Sequence, residues 1–128
     1  MAGETATALE AKSFDEPDEK RRPPNTVVDV VHVGGTTLAR LTFGRGWRWS
    51  ETVKTVVNTD SCQVNHVGIC TSGTLTVEMD DGTRTTLSAG HAYAIPPGHD
   101  AWVDGDQAFV GIEFVSAAEF AKPTQDSA

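Results

Sequence analysis

Three side chains with metal-binding chemistry lie in one short segment of this 128-residue chain: Asp60, Cys62 and His66. At spacings i, i+2 and i+6, side chains on a β-strand face the same way. A thiolate beside an imidazole suits Zn, Fe, Cu or Ni, and does not suit Mg or Ca. On the alternative interpretation, Cys62 is a small buried hydrophobe and His66 is a hydrogen-bonded pocket residue. Asp60 is a further ligand, a partner of a histidine, or the cap of a turn in the NTDS segment, and the turn is favoured.

Tryptophan and tyrosine side chains are the candidates for contacting an organic ligand. Trp47 and Trp49 share parity on one predicted strand, and large aromatic residues in that arrangement usually cover the core. The alternative places Trp49 with Trp102 and Tyr93 around the mouth of a pocket that admits an apolar or aromatic molecule. Both interpretations remain open for Trp49, whereas we expect Trp47 in the core.

Short β-rich segments must position these side chains. From residue 26 onward, runs of Val, Thr, Ile and aromatic residues alternate with Gly, Asp and Pro turn signals. Asp81-Gly82, between GTLTVEM and TRTTL, is the strongest hairpin signal. We expect strands in this region, including WRWSETVKTVV and SCQVNHVGIC, and one short helix at AAEFA. Many short strands with little helix predict an all-β sandwich or barrel.

Length and charge limit the domain organisation and the partners. We expect a charged, flexible N-terminal arm at 1–25, one β-barrel domain at 26–116, and a short helix with a fraying tail at 117–128. A net charge of -8 opposes binding to nucleic acid or to anionic lipid. The sequence contains neither an apolar run of about 18 residues nor the order of a secretory signal. We therefore predict a cytoplasmic protein that binds neither nucleic acid nor membrane.

A motif near residue 95 carries a family resemblance. The segment GHAYAIPPG at residues 90–98 resembles the second motif of the cupin family, in which a glycine precedes five residues and then Pro-x-Gly. With Gly73 as the last glycine of the first motif, the resemblance puts His66 at the position of the family's glutamate. Asp60 and Cys62 then stand at the positions of its two histidines. The resemblance covers roughly residues 26–115, and it implies the cupin double-stranded β-helix, a jelly-roll-like closed barrel.

The same resemblance implies a metal site, with one ligand displaced. Ala101 stands where the second motif of the family has a metal-binding histidine. His99 lies two residues earlier and on a strand faces the same way, so we expect it to replace that histidine. Cys62, His66 and His99 would then hold one divalent transition metal, with an open position for water or substrate. The alternative is that no metal binds and that both histidines are hydrogen-bonded pocket residues.

Two functional classes follow, because the chain is similar to small stand-alone bacterial cupin-domain proteins. The first is a metal-dependent isomerase, lyase or oxygenase acting on a small organic molecule, with Asp60 or His99 moving a proton. The second is a metal-free, non-catalytic module that binds or senses a small ligand. Small cupins commonly pair about a two-fold axis, so we also expect a homodimer. Finally, Gly98 follows Pro-Pro in a tight turn and is predicted to need a positive φ.

Overall fold

The computed structural model describes residues 6–114, 116–118 and 120–122, and strands dominate it. The strands are β1 (Glu19–Arg21), β2 (Thr26–Val33), β3 (Thr36–Phe43), β4 (His66–Ser72), β5 (Thr74–Met79), β6 (Arg84–Ser88), β7 (Ala92–Ile95), β8 (His99–Asp104) and β9 (Phe109–Glu113). They form two antiparallel sheets, one in the order β1-β2-β3-β9-β4-β7 and one in the order β6-β5-β8. The expectation of an all-β domain is confirmed.

The core lies between the two sheets, and strand alternation decides which side chains enter it. Along β8, His99, Ala101 and Val103 are buried, while the intervening residues are more exposed. The same alternation buries His66 and Cys70 on β4. Large core side chains from both sheets and from the connection after β3 are Val28, Leu41, Phe43, Trp47, Trp49, Leu75, Val77, Tyr93, Ile95, Phe109 and Phe120.

The hairpin predicted at Asp81-Gly82 is confirmed. Strands β5 and β6 pair in antiparallel register up to Glu78 and Arg84, and the Gly82 N–H donates to the Met79 carbonyl at 2.9 Å. Gly82 has φ +91°, a conformation that glycine adopts without a steric penalty.

The segment at 47–57 is not the strand that its Trp, Thr and Val content predicts. It forms a 3-10 helix at Trp49–Glu51 and the short helix α1 at Lys54–Val57, ending at Asn58 in the left-handed conformation. The connection from β3 to β4 leaves the sheet here and has no neighbouring strand over α1. Its backbone therefore pairs within the helix, as in the Asn58 N–H bond to the Lys54 carbonyl.

The other expected boundaries also differ in detail. The strand expected at SCQVNHVGIC begins only at His66, as β4. Cys62 lies before it and forms an isolated bridge with His99, the first residue of β8. Within the region expected to be an arm, β1 pairs with β2, and Arg21 on β1 is buried and donates to the Phe120 carbonyl at 2.8 Å. At the expected C-terminal helix, the structure has a 3-10 helix at Ser116–Ala118. Of the expected tail KPTQDSA, residues 123–128 lie outside the described residues. Among the described residues, no helix has the length and apolarity to cross a membrane.

Candidate metal centre

Cys62, His66 and His99 come together between the two sheets. One ligand-type atom from each residue lies within 4.8 Å of the other two. The relative exposures of the three residues are 2%, 3% and 3%, so water has almost no access to them. The predicted three-residue group therefore exists in the fold, although the sequence separates His99 from the other two by more than one hairpin.

Backbone hydrogen bonds fix Cys62 next to His99. The Cys62 N–H donates to the His99 carbonyl at 2.7 Å, and the Gly98 N–H donates to the Cys62 carbonyl at 2.7 Å. Gly98 has φ +92°, and a Cβ added there would lie 2.9 Å from Asp80 Oδ2. The predicted positive φ of Gly98 is confirmed. After this turn, β8 begins at His99, and the His99 ring lies on the buried side of the strand.

Each histidine has its Nδ1 engaged by an oxygen acceptor. His66 Nδ1–H donates to Glu113 Oε1 at 2.7 Å, and its Nε2 lies 3.6 Å from Cys62 Sγ. His99 Nδ1–H donates to the Pro96 carbonyl at 2.8 Å, which leaves Nε2 as the site of the lone pair in the neutral ring. The two rings meet edge to face with centroids 5.2 Å apart. Orienting partners of this kind are the usual supports of metal-binding histidines.

Glu113 is a buried acceptor that the sequence analysis missed. It is 2% exposed, and besides His66 it accepts hydrogen bonds from the Tyr93 hydroxyl at 2.7 Å and from the Ser116 hydroxyl. A sequence signal for it existed, because Phe109, Gly111 and Glu113 share parity along the apolar β9 segment. Strand alternation alone therefore directs the carboxylate inward.

Electrostatic coupling across this group shifts three pKa values. Burial raises the pKa of the Cys62 thiol, but hydrogen bonds with His66 and His99 outweigh burial and lower it to about 7. Burial lowers the pKa of His66, but the charge of Glu113 and the hydrogen bonds to Cys62 and Glu113 raise it to about 10. Burial raises the pKa of Glu113, and the charge of His66 outweighs burial, so this pKa lies below its usual value. An imidazolium between two anionic partners is therefore favoured near neutral pH.

A small cavity adjoins the histidines. Its volume is about 20 Å³, which is enough for one water-sized group and too small for an organic substrate. Its lining includes His66, His99, Glu113 and both core tryptophans, Trp47 and Trp49.

The donor set and the spacing of its Cys62–His66 pair fit a transition metal. Zn–S and Zn–N bonds of normal length at a tetrahedral angle put sulfur and nitrogen about 3.6 Å apart. The observed distance between Cys62 Sγ and His66 Nε2 is 3.6 Å. One thiolate and two imidazoles suit Zn, Fe, Cu or Ni, and the cavity beside them offers room for a further small ligand.

The remaining predicted site residues are dispersed. Asp60 is exposed and does not belong to the cysteine-histidine group. Trp102 is half-buried on the opposite side of β8 from His99, where Arg48 and Arg84 stack on its ring at 4.4 and 5.0 Å from the centroid. Trp49 is fully buried and lines the small cavity. The structure thus does not gather the predicted aromatic residues around one mouth, because Trp102 has the wrong parity for the interior.

A second, larger depression opens where the edges of the two sheets part, between β6 and β7. Its volume is about 340 Å³, and none of its described lining residues is charged. Tyr93 and Ile95 belong to its lining, and Ile95 also lines the small cavity. The full lining is Val77, Met79, Thr83, Thr85, Leu87, Ala92, Tyr93, Ala94, Ile95 and Pro96.

Comparison with known proteins identifies the fold. No protein-family profile matches the sequence, and no curated protein sequence is significantly similar to it. Solved structures do match. An RmlC-like cupin from Shewanella frigidimarina has TM-score 0.54 and 17% identity, covering 84% of this chain and 92% of that chain. A protein with a double-stranded β-helix domain from Klebsiella pneumoniae has TM-score 0.54 and 18% identity, covering 88% and 94%. KdgF from Halomonas sp. has TM-score 0.53 and 16% identity, covering 85% and 94%.

Proposed function

We propose that this chain, which has the cupin double-stranded β-helix fold, binds one divalent transition metal through Cys62, His66 and His99. The observation that carries the proposal is the convergence of three buried ligand-type atoms within 4.8 Å of one another. The orientation of both rings supports it, since Glu113 and the Pro96 carbonyl occupy the Nδ1 atoms. A metal would bind the thiolate and both ring nitrogens in place of the contacts that these groups make with one another.

A bound metal would supply Lewis-acid chemistry in the case of Zn, and redox chemistry in the case of Fe or Cu. The residues of the chain prepare the site for it. Glu113 holds the Nδ1 proton of His66, so the ring can bind a metal through Nε2 once Nε2 has lost its proton, while the lowered pKa of Cys62 supplies a thiolate near neutral pH. The proposal includes isomerase, lyase or oxygenase activity on a small organic molecule, which would reach the centre only if the side chains around the small cavity move, because that cavity holds one water-sized group. The exposed position of Asp60 favours His66 and Glu113 over Asp60 as the groups that hold a proton at the centre.

Elemental analysis of the purified protein tests this proposal. We expect about one metal ion per chain in the wild type and in Cys70→Ala, and much less in Cys62→Ala and His66→Ala. Cys70 is the matched control, because it is as buried as Cys62 but does not belong to the group. A wild type without metal after loading with Zn, Fe, Cu or Ni, or a Cys62→Ala variant that keeps its metal, contradicts the proposal.

A second candidate function is binding of an uncharged, mostly apolar molecule without metal. The depression between β6 and β7 favours it, because its volume of about 340 Å³ lies in the range of small-molecule sites and its lining carries no charge. Thr83 and Thr85 add hydroxyl groups at the β6 side. Such a molecule would lie against Tyr93, whose hydroxyl bonds to Glu113, and would therefore be one side chain away from the centre.

The neutral fluorescent probe N-phenyl-1-naphthylamine tests this second function on metal-free protein. We expect saturable binding that is lost in Thr85→Phe, which fills the depression, and retained in Thr86→Phe. Thr86 is adjacent on β6 and does not line the depression. Equal binding by both variants, or no saturable binding by the wild type, excludes this candidate.

We also propose that the protein is a homodimer. Val67, Ile69 and Phe114 are 37%, 40% and 43% exposed, and the Phe114 N–H bonds to the Val67 carbonyl, so the three form one apolar patch. A patch of this kind suits symmetric self-association. Light scattering should give the mass of a dimer for the wild type and for the control Thr86→Lys, and that of a monomer for Ile69→Lys. A monomeric wild type at micromolar concentration contradicts the proposal.

The expected cytoplasmic location and the expected lack of nucleic-acid binding remain predictions. Both cysteines are free in the structure, which suits a reducing compartment.

A further inference from the structure

Two buried tryptophans differ in how their indole N–H groups are satisfied. Trp47 and Trp49 are 2% and 1% exposed, and both line the small cavity beside the histidines. Trp47 Nε1–H donates to Thr26 Oγ1 at 2.8 Å. Among the described residues, Trp49 Nε1 is a buried polar atom without a protein acceptor. A buried indole N–H normally has a partner, because leaving it unpaired is unfavourable.

Among the described side chains that line this cavity, the acceptors are either engaged already or, as His99 Nε2, belong to the proposed metal ligands. Glu113 already accepts hydrogen bonds from His66, Tyr93 and Ser116. The apolar lining includes Phe43, Leu75 and Phe120, which have no side-chain acceptors. With His99 Nε2 bound to the proposed metal, the partner for the Trp49 N–H is a molecule or ion that enters the cavity. With a volume of about 20 Å³, the cavity takes a single water-sized group.

We propose that Trp49 Nε1–H is the hydrogen-bond donor of a subsite for one water-sized acceptor, a water or a monatomic anion, beside Cys62, His66 and His99. The inference rests on the proposed function, because that group of residues gives the acceptor its second contact. Trp49 thereby selects the ligand by size and polarity. A water or a fluoride ion fits and accepts the bond, whereas a carboxylate does not fit unless the surrounding side chains move.

Fluoride binding to the Zn-loaded protein tests the subsite. Isothermal titration calorimetry should show fluoride affinity reduced at least about tenfold in Trp49→Phe, the range for a hydrogen bond to a charged group. Trp47→Phe is the matched control, because it removes an equally buried indole from the same cavity but deletes a bond to Thr26 instead. We expect it to change the fluoride affinity less than about twofold. Equal losses in the two variants, or none in Trp49→Phe, overturn the inference.

Nuclear magnetic resonance of the wild type gives an answer even if Trp49→Phe does not fold. With the three indole N–H signals assigned, fluoride should move the Trp49 signal most. A shift confined to Trp47 or Trp102 overturns the inference. Elemental analysis separates the two claims: Zn bound with unchanged fluoride affinity in Trp49→Phe refutes the subsite alone. If the wild type binds no metal, the proposed function fails. The subsite is then tested by a nuclear Overhauser contact between the Trp49 indole proton and a long-lived bound water. The contact supports the subsite, and its absence overturns it.

Discussion

Replacing Glu113 by glutamine removes the negative charge beside His66 and changes the shape of the side chain very little. The carboxylate accepts from His66, Tyr93 and Ser116, and an amide with one oxygen cannot accept from all three donors. The pKa of His66 rises from 6.5 to about 10, and each pKa unit corresponds to about 1.4 kcal/mol. Removing one partner of a buried ion pair costs about 3–5 kcal/mol. Because Cys62 shares in the shift, we expect Glu113→Gln to lower the free energy of unfolding by about 3 kcal/mol.

The pH dependence of this loss has a definite sign. The pKa of His66 is raised by folding, so its contribution to stability is complete below pH 6.5 and is lost as the pH rises through about 10. The pKa of Glu113 is lowered, so its contribution is complete above its ordinary value of 4.5 and is lost as the pH falls below that value. The difference between wild type and variant should therefore be largest between pH 4.5 and 6.5, and should shrink towards pH 10.

Urea unfolding of the metal-free proteins measures this difference. Glu78→Gln is the control, because Glu78 pairs with Arg84 on the surface, where an ion pair contributes about 0–1 kcal/mol. If Glu113→Gln unfolds at the same urea concentration as the wild type at pH 4.5–6.5, the carboxylate does not stabilise a charged His66. In that case Glu113 does not hold His66 as a charged partner. If metal binds, its affinity should also fall about 10- to 100-fold in this variant.

Three further outcomes are expected. Gly98→Val should lower the free energy of unfolding by about 2 kcal/mol or more, and by more than Gly82→Val does. Both positions have positive φ, but only at Gly98 would an added Cβ meet Asp80. Thermal melts of the two variants measure the difference. Thiolate absorbance of metal-free Cys70→Ala should titrate near pH 7, and a midpoint at the ordinary thiol value of 9.0 would contradict the coupling of Cys62 to the histidines. Chelation of a bound metal present at a hundredfold excess over its Kd should cost about 2.7 kcal/mol of stability, and an unchanged Tm would argue against specific binding.

Strand periodicity predicted more of the site than of the connections around it. Parity placed His66 and His99 on the buried side, but it wrongly put Asp60 there too, because residues 60–65 do not form a strand. The Asp81-Gly82 signal located the β5–β6 hairpin. These features depend on local alternation and turn chemistry, which a single sequence displays.

The strand prediction for the segment at 47–57 was wrong because it depends on contacts that a single sequence does not display. Its residues favour a strand, but the 3-10 helix and α1 form where no partner strand is available. The 3-10 helix, and not parity with Trp47 on a strand, places Trp49 in the lining of the small cavity. Strand alternation directs Glu113 inward, but the sequence does not show that it meets His66, so the pairing of these two residues was missed.

The three ligand-type side chains do not come from one layer of the fold. His66 begins β4 in the six-stranded sheet, whereas Cys62 and His99 are joined by backbone bonds at the edge of the three-stranded sheet. Any ion held by all three would cross-link the two sheets. Its removal would then loosen the sheets against each other before either sheet unravels, so amide protons at the β4 and β8 ends should exchange faster, while the β5–β6 hairpin keeps its protection.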